Sequence, residues 1–452
     1  MWAVERDPVL RSTFLTITLL DRSPDMDRLA VRIGDAVAAF PRMHQRVRGA
    51  SAPWDRPHWI DDASFDLHFH IRRVALPAPG TERMLFDLSG RVLEDAFDPV
   101  RPLWQLTVVE GLEGGRAALL AKMHHTITDG VGGLRLSSSF LDFDAEGQAP
   151  VRMAASGRDG GEGRDDGDGP DQNEGPARYA AAAARALRAT LHATEQLRPD
   201  RLAGQVKGVV DTVASVVRQG VALGGGAGVW QGSRSMGRHL DRIDLDLDEV
   251  RSAAKALGGT VNDLFVCGVA SGAAVYHRRQ GHTVDSLRVA VPVSTRVDRS
   301  FGGNSFAPAR ISIPVGDPDP RERFRAAHEA LAAARSERAL TVADRVAGAL
   351  LALPPAVLTP LARQQVSAVD LAASNLRGSP VGLFVAGAAV EANYPMGPTA
   401  GVAFNATVLS YQSRLDLGLD VDVAAVGDPD GLRVCLEESF AELAAAGLGG
   451  RA

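Results

Sequence analysis

His124-His125-Thr126-Ile127-Thr128-Asp129-Gly130 follows the apolar run Ala117-Ala118-Leu119-Leu120-Ala121-Lys122-Met123 and precedes Val131-Gly132-Gly133. A strand-like segment therefore stops where a helix-like one begins, and the pattern HHxxxDG spans the junction. Histidine is the side chain whose unperturbed proton affinity lies near neutral pH, so one held at a strand end is a ready general base. Asp129 offers an ion-pairing anchor and Gly130 a turn. The alternative reading has both histidines capping the strand, Asp129 capping the next helix and the glycines forming a loop.

Outward from this junction, residues 11–150 alternate between strand and helix patterns. Ser12 to Leu19 reads as a strand, and Ser23-Pro24 then offers an N-cap and first-turn proline to a helix carrying Leu29, Ile33 and Val37 on one face. Phe65, Leu67, Phe69 and Ile71 alternate with His68 and His70 as in a half-buried strand, and with no third ligand nearby the two histidines read as surface polar residues. A helix is expected from Thr81 to Phe97, then a strand from Pro102 to Val109, a turn at Glu113-Gly114-Gly115 and the strand leading into the histidines.

The chain has 452 residues, which makes two domains of roughly 150 to 220 residues the natural division. Its formal net charge is -6, and between Gly157 and Pro176 seven acids face two bases, so most of the imbalance is local. A general nucleic-acid binder is excluded on that count. The segment 149–176, rich in Gly, Asp, Glu and Pro, has almost nothing apolar to offset ordering entropy and reads as a disordered acidic linker. Residues 177–237 read as a helical crossover, whose stripe at Val206, Val209, Val210 and Val213 packs on the protein body or lies on a membrane surface.

A second alternating region fills 238–452: a strand at Ile243 to Leu247, a helix from Asp248 stopped by Gly258-Gly259, and Thr260-Val261-Asn262-Asp263 with the spacing of a helix capping box. Strands follow at Leu287 to Val293, Phe306 to Ile313, Val402 to Tyr411 and Arg414 to Val421, and a last helix starts at Asp428-Pro429. The mixture resembles the first half, giving an N-terminal domain 1–148 and a C-terminal domain 238–452 of similar build.

Cys267 and Cys435, far apart in helix-like segments, make neither a disulfide framework nor a thiolate metal site, and no metal or resident cofactor is expected. The first residues lack a secretory pattern, and Val346 to Pro360, the longest uncharged apolar stretch, is broken by Pro354-Pro355 and is shorter than the roughly 20 residues a bilayer span needs. A cytoplasmic protein is expected. Nucleophile-elbow, phosphate-loop, zinc-protease and dinucleotide signatures are missing from the sequence. A neutral imidazole suits attack of a hydroxyl or amine on an activated acyl group, and because a coenzyme A thiolate leaves readily, no covalent enzyme intermediate is required.

HHxxxDG resembles the active-site motif of the coenzyme-A-dependent acyltransferase superfamily, which includes chloramphenicol acetyltransferases and peptide-synthetase condensation domains. Further stretches narrow the resemblance: Pro102-Leu103-Trp104, Gly259-Thr260-Val261-Asn262-Asp263, Pro292-Val293-Ser294-Thr295-Arg296, Gly303-Asn304, Ser374-Asn375 with Gly378 and Pro380, Tyr394-Pro395-Met396-Gly397-Pro398, and Asn405 to Tyr411. In this order they look like the landmarks of the bacterial wax ester synthase/diacylglycerol acyltransferase family.

The resemblance implies an α/β (α+β) fold of two chloramphenicol-acetyltransferase-like domains, mixed sheet and helices in each, facing across a substrate tunnel. It implies an O-acyltransferase that takes acyl-CoA as co-substrate and diacylglycerol or a long-chain alcohol as acceptor, giving triacylglycerol or wax ester. His125 is then the general base, His124 shapes the loop, and Asp129 pairs with Arg296 to hold it beside Gly130. Asn262 and Asp263 support the site, chiefly by capping their helix.

Pro102-Leu103-Trp104 reads as strand initiation and packing. Ser374-Asn375 and Tyr394 to Pro398 read as tunnel lining or as turns. Peripheral contact with a membrane or lipid droplet is expected through 346–358 or the helix around Val209. The competing readings are an acyltransferase of the same superfamily with another lipid or carrier-bound acceptor, and a catalytically silent lipid-binding paralogue. The family's usual Pro-Met-His-Val-Gly-like opening is replaced here by Asp7-Pro8-Val9-Leu10-Arg11-Ser12, and its Gly-Pro after Ser-Asn by Gly378-Ser379-Pro380.

Overall fold

The computed structural model describes residues 2–49, 57–128, 130–147, 230, 232–294, 306–336, 359–360, 362–363, 366 and 368–449. The acidic linker 149–176, most of the crossover 177–237, the apolar stretch 346–358, Asp129 and Arg296 therefore lie outside the described residues. Those described belong to one unit made from residues 1–153 and 226–452.

Two mixed six-stranded sheets form its frame. The first has the order β11 (Phe384–Val385), β12 (Ala388–Met396), β1 (Thr13–Leu20), β6 (Ala117–His124), β5 (Trp104–Glu110), β4 (Ile71–Ala75). The second has the order β7 (Arg238–Asp246), β14 (Arg414–Asp422), β13 (Phe404–Tyr411), β10 (Leu371–Arg377), β8 (Ser286–Ser294), β9 (Phe306–Pro314). A short ribbon, β2 (Gln45–Arg48) with β3 (His58–Asp61), stands apart from them.

Strand order departs from chain order where it matters for the site. β12, from the C-terminal half, pairs antiparallel with β1 of the N-terminal half, with Leu15 opposite Met396 and Ile17 opposite Tyr394. On its way it passes so close to β14 that a Cβ on Gly418 would fall 2.3 Å from the Pro395 carbonyl oxygen. Only glycine permits that approach. The amide of Asn393 donates to Asp416 Oδ2 (2.7 Å) and the Tyr394 hydroxyl to Asp244 Oδ1 (2.7 Å), so polar contacts stitch the two sheets along this crossing.

The helices form where their caps and apolar faces dictate. α1 (Met26–Ala39) buries Leu29, Ile33, Ala36 and Val37, the expected stripe, but its N-cap is Asp25, whose carboxylate accepts from the amides of Asp27 and Arg28. Ser23, expected to cap, donates to Glu110 instead. α3 (Glu82–Glu94) is capped by Thr81. α5 (Leu247–Ala256) is capped by Asp246, and α6 (Val261–Arg279) carries the capping box read at Thr260 and Asp263. α7 (Pro320–Ser336), unmarked by the sequence reading, packs on α6, and α8 (Pro429–Leu448) starts at the Asp428 cap and buries Leu432, Leu436, Phe440 and Leu443 as expected. Cys267 and Cys435 are buried and free.

Two expectations are corrected. Residues Leu67–His70 form a single helical turn, α2, not a strand, because the Asp66 carboxylate accepts from the His68 amide and starts the turn. Nor do its histidines share a surface. His68 is exposed, while His70 is buried with its ring stacked 4.4 Å from Trp104 and its Nδ1 2.8 Å from the Trp104 carbonyl. Burial pushes the His70 ring below the usual imidazole range, toward the neutral form that donates from Nδ1. Ser374-Asn375 and Tyr394 to Met396 are also not turns: they lie within β10 and at the end of β12.

A buried acid gives the fold a pH dependence. Asp420 of β14 is 1% exposed, and desolvation pushes its carboxyl up to about 7 although Arg238 Nε stands 3.9 Å away. Between the unfolded carboxylate range and about 7 the native state holds the extra proton, so this group's contribution to stability falls as pH rises through that window. Asp420→Asn is expected to raise the melting temperature more at pH 8 than at pH 5, measured by thermal melts at both. An equal shift at the two pH values would contradict the assignment.

Candidate active site

β6 lies between β1 and β5, antiparallel to both, with Thr13 opposite His124 and Trp104 opposite Met123. All eight of its residues are buried, as the apolar run requires for a strand covered on both faces. The last two amides remain in the ladder: His124 N–H donates to Leu103 O (3.0 Å) and His125 N–H to Ser12 O (2.9 Å). The histidine pair thus leaves a rigid strand end, not a loose loop.

Beyond it the chain turns at once. The Ile127 amide donates back to the His124 carbonyl (2.9 Å), the Ile127 side chain is buried, and Arg42 Nη1 donates to the Thr126 carbonyl (2.9 Å). Gly130 opens α4 (Gly130–Ser137), which is anchored by buried Leu136. Motif, strand, turn and helix follow in the order read from the sequence.

The two histidines have different surroundings. His124 is 1% exposed, and its Nδ1 accepts from the Thr126 amide (3.0 Å) and lies 2.7 Å from the Thr126 hydroxyl. An accepting Nδ1 places the ring proton on Nε2, which stands 2.8 Å from Glu5 Oε2 in a contact bent off the line of a straight N–H···O bond. Trp2 meets the same ring edge-on at 5.9 Å. His125, past the strand end, is half-buried and rests its ring against Phe14, centroids 4.8 Å apart.

The supporting residues fall into a second cluster, around the start of α6. Asn262 is joined to Asn375 of β10 by a 3.4 Å hydrogen bond, which brings two sequence landmarks together. Asp263, fully buried, accepts from the Thr260 amide (3.0 Å), the Thr260 hydroxyl (2.9 Å) and His328 Nδ1 (2.8 Å). Capping and packing account for those contacts.

The landmarks Tyr394 to Pro398 and Asn405 to Tyr411 are similarly tied. Asn405 Nδ2 donates to Pro398 O (2.9 Å) and the Thr407 hydroxyl to Asn405 Oδ1 (2.7 Å). Trp104 of the Pro-Leu-Trp landmark is packing, as expected: it is 1% exposed and its Nε1–H donates to Met43 O (2.7 Å).

Sequence reasoning missed Glu5, Trp2 and Lys122. Lys122, two residues before His124 on the same strand face, is buried, donates to Asp95 O (2.7 Å) and is pulled down to about 8 by desolvation. Its place in an otherwise apolar run was the available signal. Glu5 had none, because only the β1–β6 register brings it to the histidines. Among the described residues, His239, Asp241 and Asp430 stand close enough to share an ion, but Arg433 Nε is 3.2 Å and Arg83 Nη1 3.8 Å from the Asp241 carboxylate, so the cluster is already neutralised.

Comparison with known proteins finds the family that these landmarks resemble. The model of the wax ester synthase/diacylglycerol acyltransferase catalytic domain matches residues 11–265, and that of the WS/DGAT C-terminal domain residues 302–444. A Mycobacterium tuberculosis protein provisionally named a diacylglycerol O-acyltransferase is 30% identical over 452 residues, covering 98% of this chain and 89% of its own. Among solved structures, the wax ester synthase/diacylglycerol acyltransferase of Marinobacter aquaeolei VT8 superposes with a TM-score of 0.64 at 20% identity, covering 97% of this chain and 96% of that one. The first condensation domain of the CDA synthetase does so with a TM-score of 0.58 at 16% identity, over 100% and 94% of the two chains. At these identities the two structures speak for the fold.

Proposed function

The chain belongs to the wax ester synthase/diacylglycerol acyltransferase family, and from that premise we propose that it transfers a long-chain acyl group from acyl-CoA to the hydroxyl of a diacylglycerol or a long-chain alcohol, with His125 as general base. The acceptor hydroxyl gives its proton to the imidazole as its oxygen bonds to the thioester carbonyl carbon. The tetrahedral adduct then expels coenzyme A thiolate, which takes the proton back from the imidazolium. Ester and free coenzyme A result, and no residue is acylated.

The observation that carries this assignment is the contrast within the pair. His124 is sealed in the strand end with one nitrogen on Thr126 and the other facing Glu5, whereas His125 is carried past the strand into the turn and is half-buried. A base that serves an incoming lipid has to be reached from outside the packed core, and of the two residues only His125 is not fully buried. Asp129 and Arg296 are proposed to hold the turn as an ion pair, and Asn262 to support it from the Asn375 side.

Purified protein given radiolabelled long-chain acyl-CoA with diacylglycerol or hexadecanol is expected to form neutral lipid, resolved by thin-layer chromatography. Transfer only to a carrier-bound amine, or bound acyl-lipid without turnover, would contradict the proposal. No described helix is long and apolar enough to cross a membrane. We place the protein in the cytoplasm, collecting its insoluble substrates by peripheral contact with a membrane or droplet. Vesicle flotation is expected to carry it upward, and a protein left at the bottom of the gradient would remove that part of the proposal.

A further inference from the structure

We infer that Glu5 is a positioning residue for the histidine pair, acting through His124; the inference rests on the reading of this turn as the reacting centre. Its geometry is a closed circuit. Glu5 Oε2 accepts from the Ser12 amide (3.2 Å) and stands 2.8 Å from His124 Nε2, while the Ser12 carbonyl accepts the His125 amide (2.9 Å). One carboxylate oxygen therefore reaches the His124 ring directly and the His125 backbone through a single intervening residue.

The chemistry follows from the tautomer. A neutral imidazole has one N–H and one acceptor nitrogen, and which is which is set by the partner of either. A carboxylate facing Nε2 favours the proton there, which leaves Nδ1 free of a proton and able to accept from Thr126 N–H and its hydroxyl. Were the proton on Nδ1, two N–H groups would oppose each other at 3.0 Å and the 125–127 turn would have to open. Glu5 thus fixes the turn that aims His125 without touching substrate.

The segment that delivers Glu5 is itself anchored. Asp7 caps the short turn Pro8–Leu10 and accepts a two-pronged hydrogen bond from Arg363, one prong 3.0 Å, and that guanidinium holds its carboxyl below the usual carboxylate range. Leu10 is buried at 4% exposure. Trp2 closes over the outer edge of the His124 ring.

The test compares Glu5→Ala and Glu5→Gln with the unmodified protein in kcat, KM, melting temperature and nitrogen spectra of 15N-labelled histidine rings. Positioning predicts that Glu5→Ala lowers kcat about 10- to 100-fold with KM changed less than about threefold, since misaimed reacting groups cost rate and not binding. Glu5→Gln, whose amide oxygen can face Nε2 from the same place, is expected to recover kcat to within about threefold. In the ring spectra one histidine leaves the Nε2-protonated form in Glu5→Ala and keeps it in Glu5→Gln.

Unchanged kcat in Glu5→Ala, or losses in both variants that merely follow their melting temperatures, would overturn the inference. The spectra are taken without substrate and separate the two failures. Ring signals unmoved by Glu5→Ala refute the positioning contact whatever the enzyme does. A displaced signal in a protein that acylates no acceptor refutes the proposed function and leaves the contact standing.

Discussion

His125→Ala is expected to slow acyl transfer by roughly 100- to 10,000-fold, the usual worth of a general base, while leaving the protein folded. The ring is half-buried and lies past the end of the buried strand β6, so its removal leaves the strand's own packing in place. The melting temperature and far-ultraviolet circular dichroism should stay near those of the unmodified chain. His124→Ala is the informative contrast. That side chain is 1% exposed, accepts from Thr126 and faces Glu5, so its loss should lower melting temperature and activity together. Full activity in folded His125→Ala would show that the hydroxyl proton goes elsewhere.

Trp104→Ala is expected to cost roughly 3–5 kcal/mol of stability, the range for deleting a large buried aromatic. Three interactions vanish at once: the filling of the core beside β6, the 4.4 Å stack on His70 and the Nε1–H bond to the Met43 carbonyl. The last leaves a buried acceptor unsatisfied, which adds to the cavity term. Because Trp104 sits opposite Met123, one residue before the histidine pair, the lesion loosens the strand that presents them. Denaturant melts should show the full loss in Trp104→Ala and a smaller one in Trp104→Phe, which keeps the ring volume without the donor. Activity at low temperature should follow the folded fraction with KM unchanged. A loss below about 1 kcal/mol would remove Trp104 from the packing role given to it.

Much of this molecule was legible before any coordinates. The largely apolar run at 117–123, the stripe at Leu29, Ile33 and Val37, and the Thr260–Asp263 cap each depend on spacing along one segment, and each formed where its pattern lay. Illegible features depended on partners distant in sequence. β12 joins the first sheet across more than half the chain, and Tyr394 and Asn393 acquire their roles only from that pairing. His70 read as surface-facing from its alternation, but an aspartate cap at Asp66 curled the segment into a turn and carried the ring under Trp104. Glu5 reaches His124 for the same reason. Its neighbours form no motif, and the strand register supplies the contact.

Local chemistry was likewise easier to place than its purpose. Asp263 was read chiefly as a cap, and its bonds to Thr260 are those of a cap, while His328 reaches it from α7. Asn262 was read with it, yet its bond to Asn375 links α6 to β10, a connection that no local pattern encodes.

The central claim is that one imidazole, His125, takes the acceptor's proton. Single-turnover transfer from acyl-CoA to hexadecanol, followed against pH, addresses it most directly. The unmodified protein should lose rate about tenfold per pH unit on the acid side, as the ring protonates and ceases to be a base, and the residual rate of His125→Ala should lack that acid limb. The same acid limb in His125→Ala would place the base on another group and contradict the account.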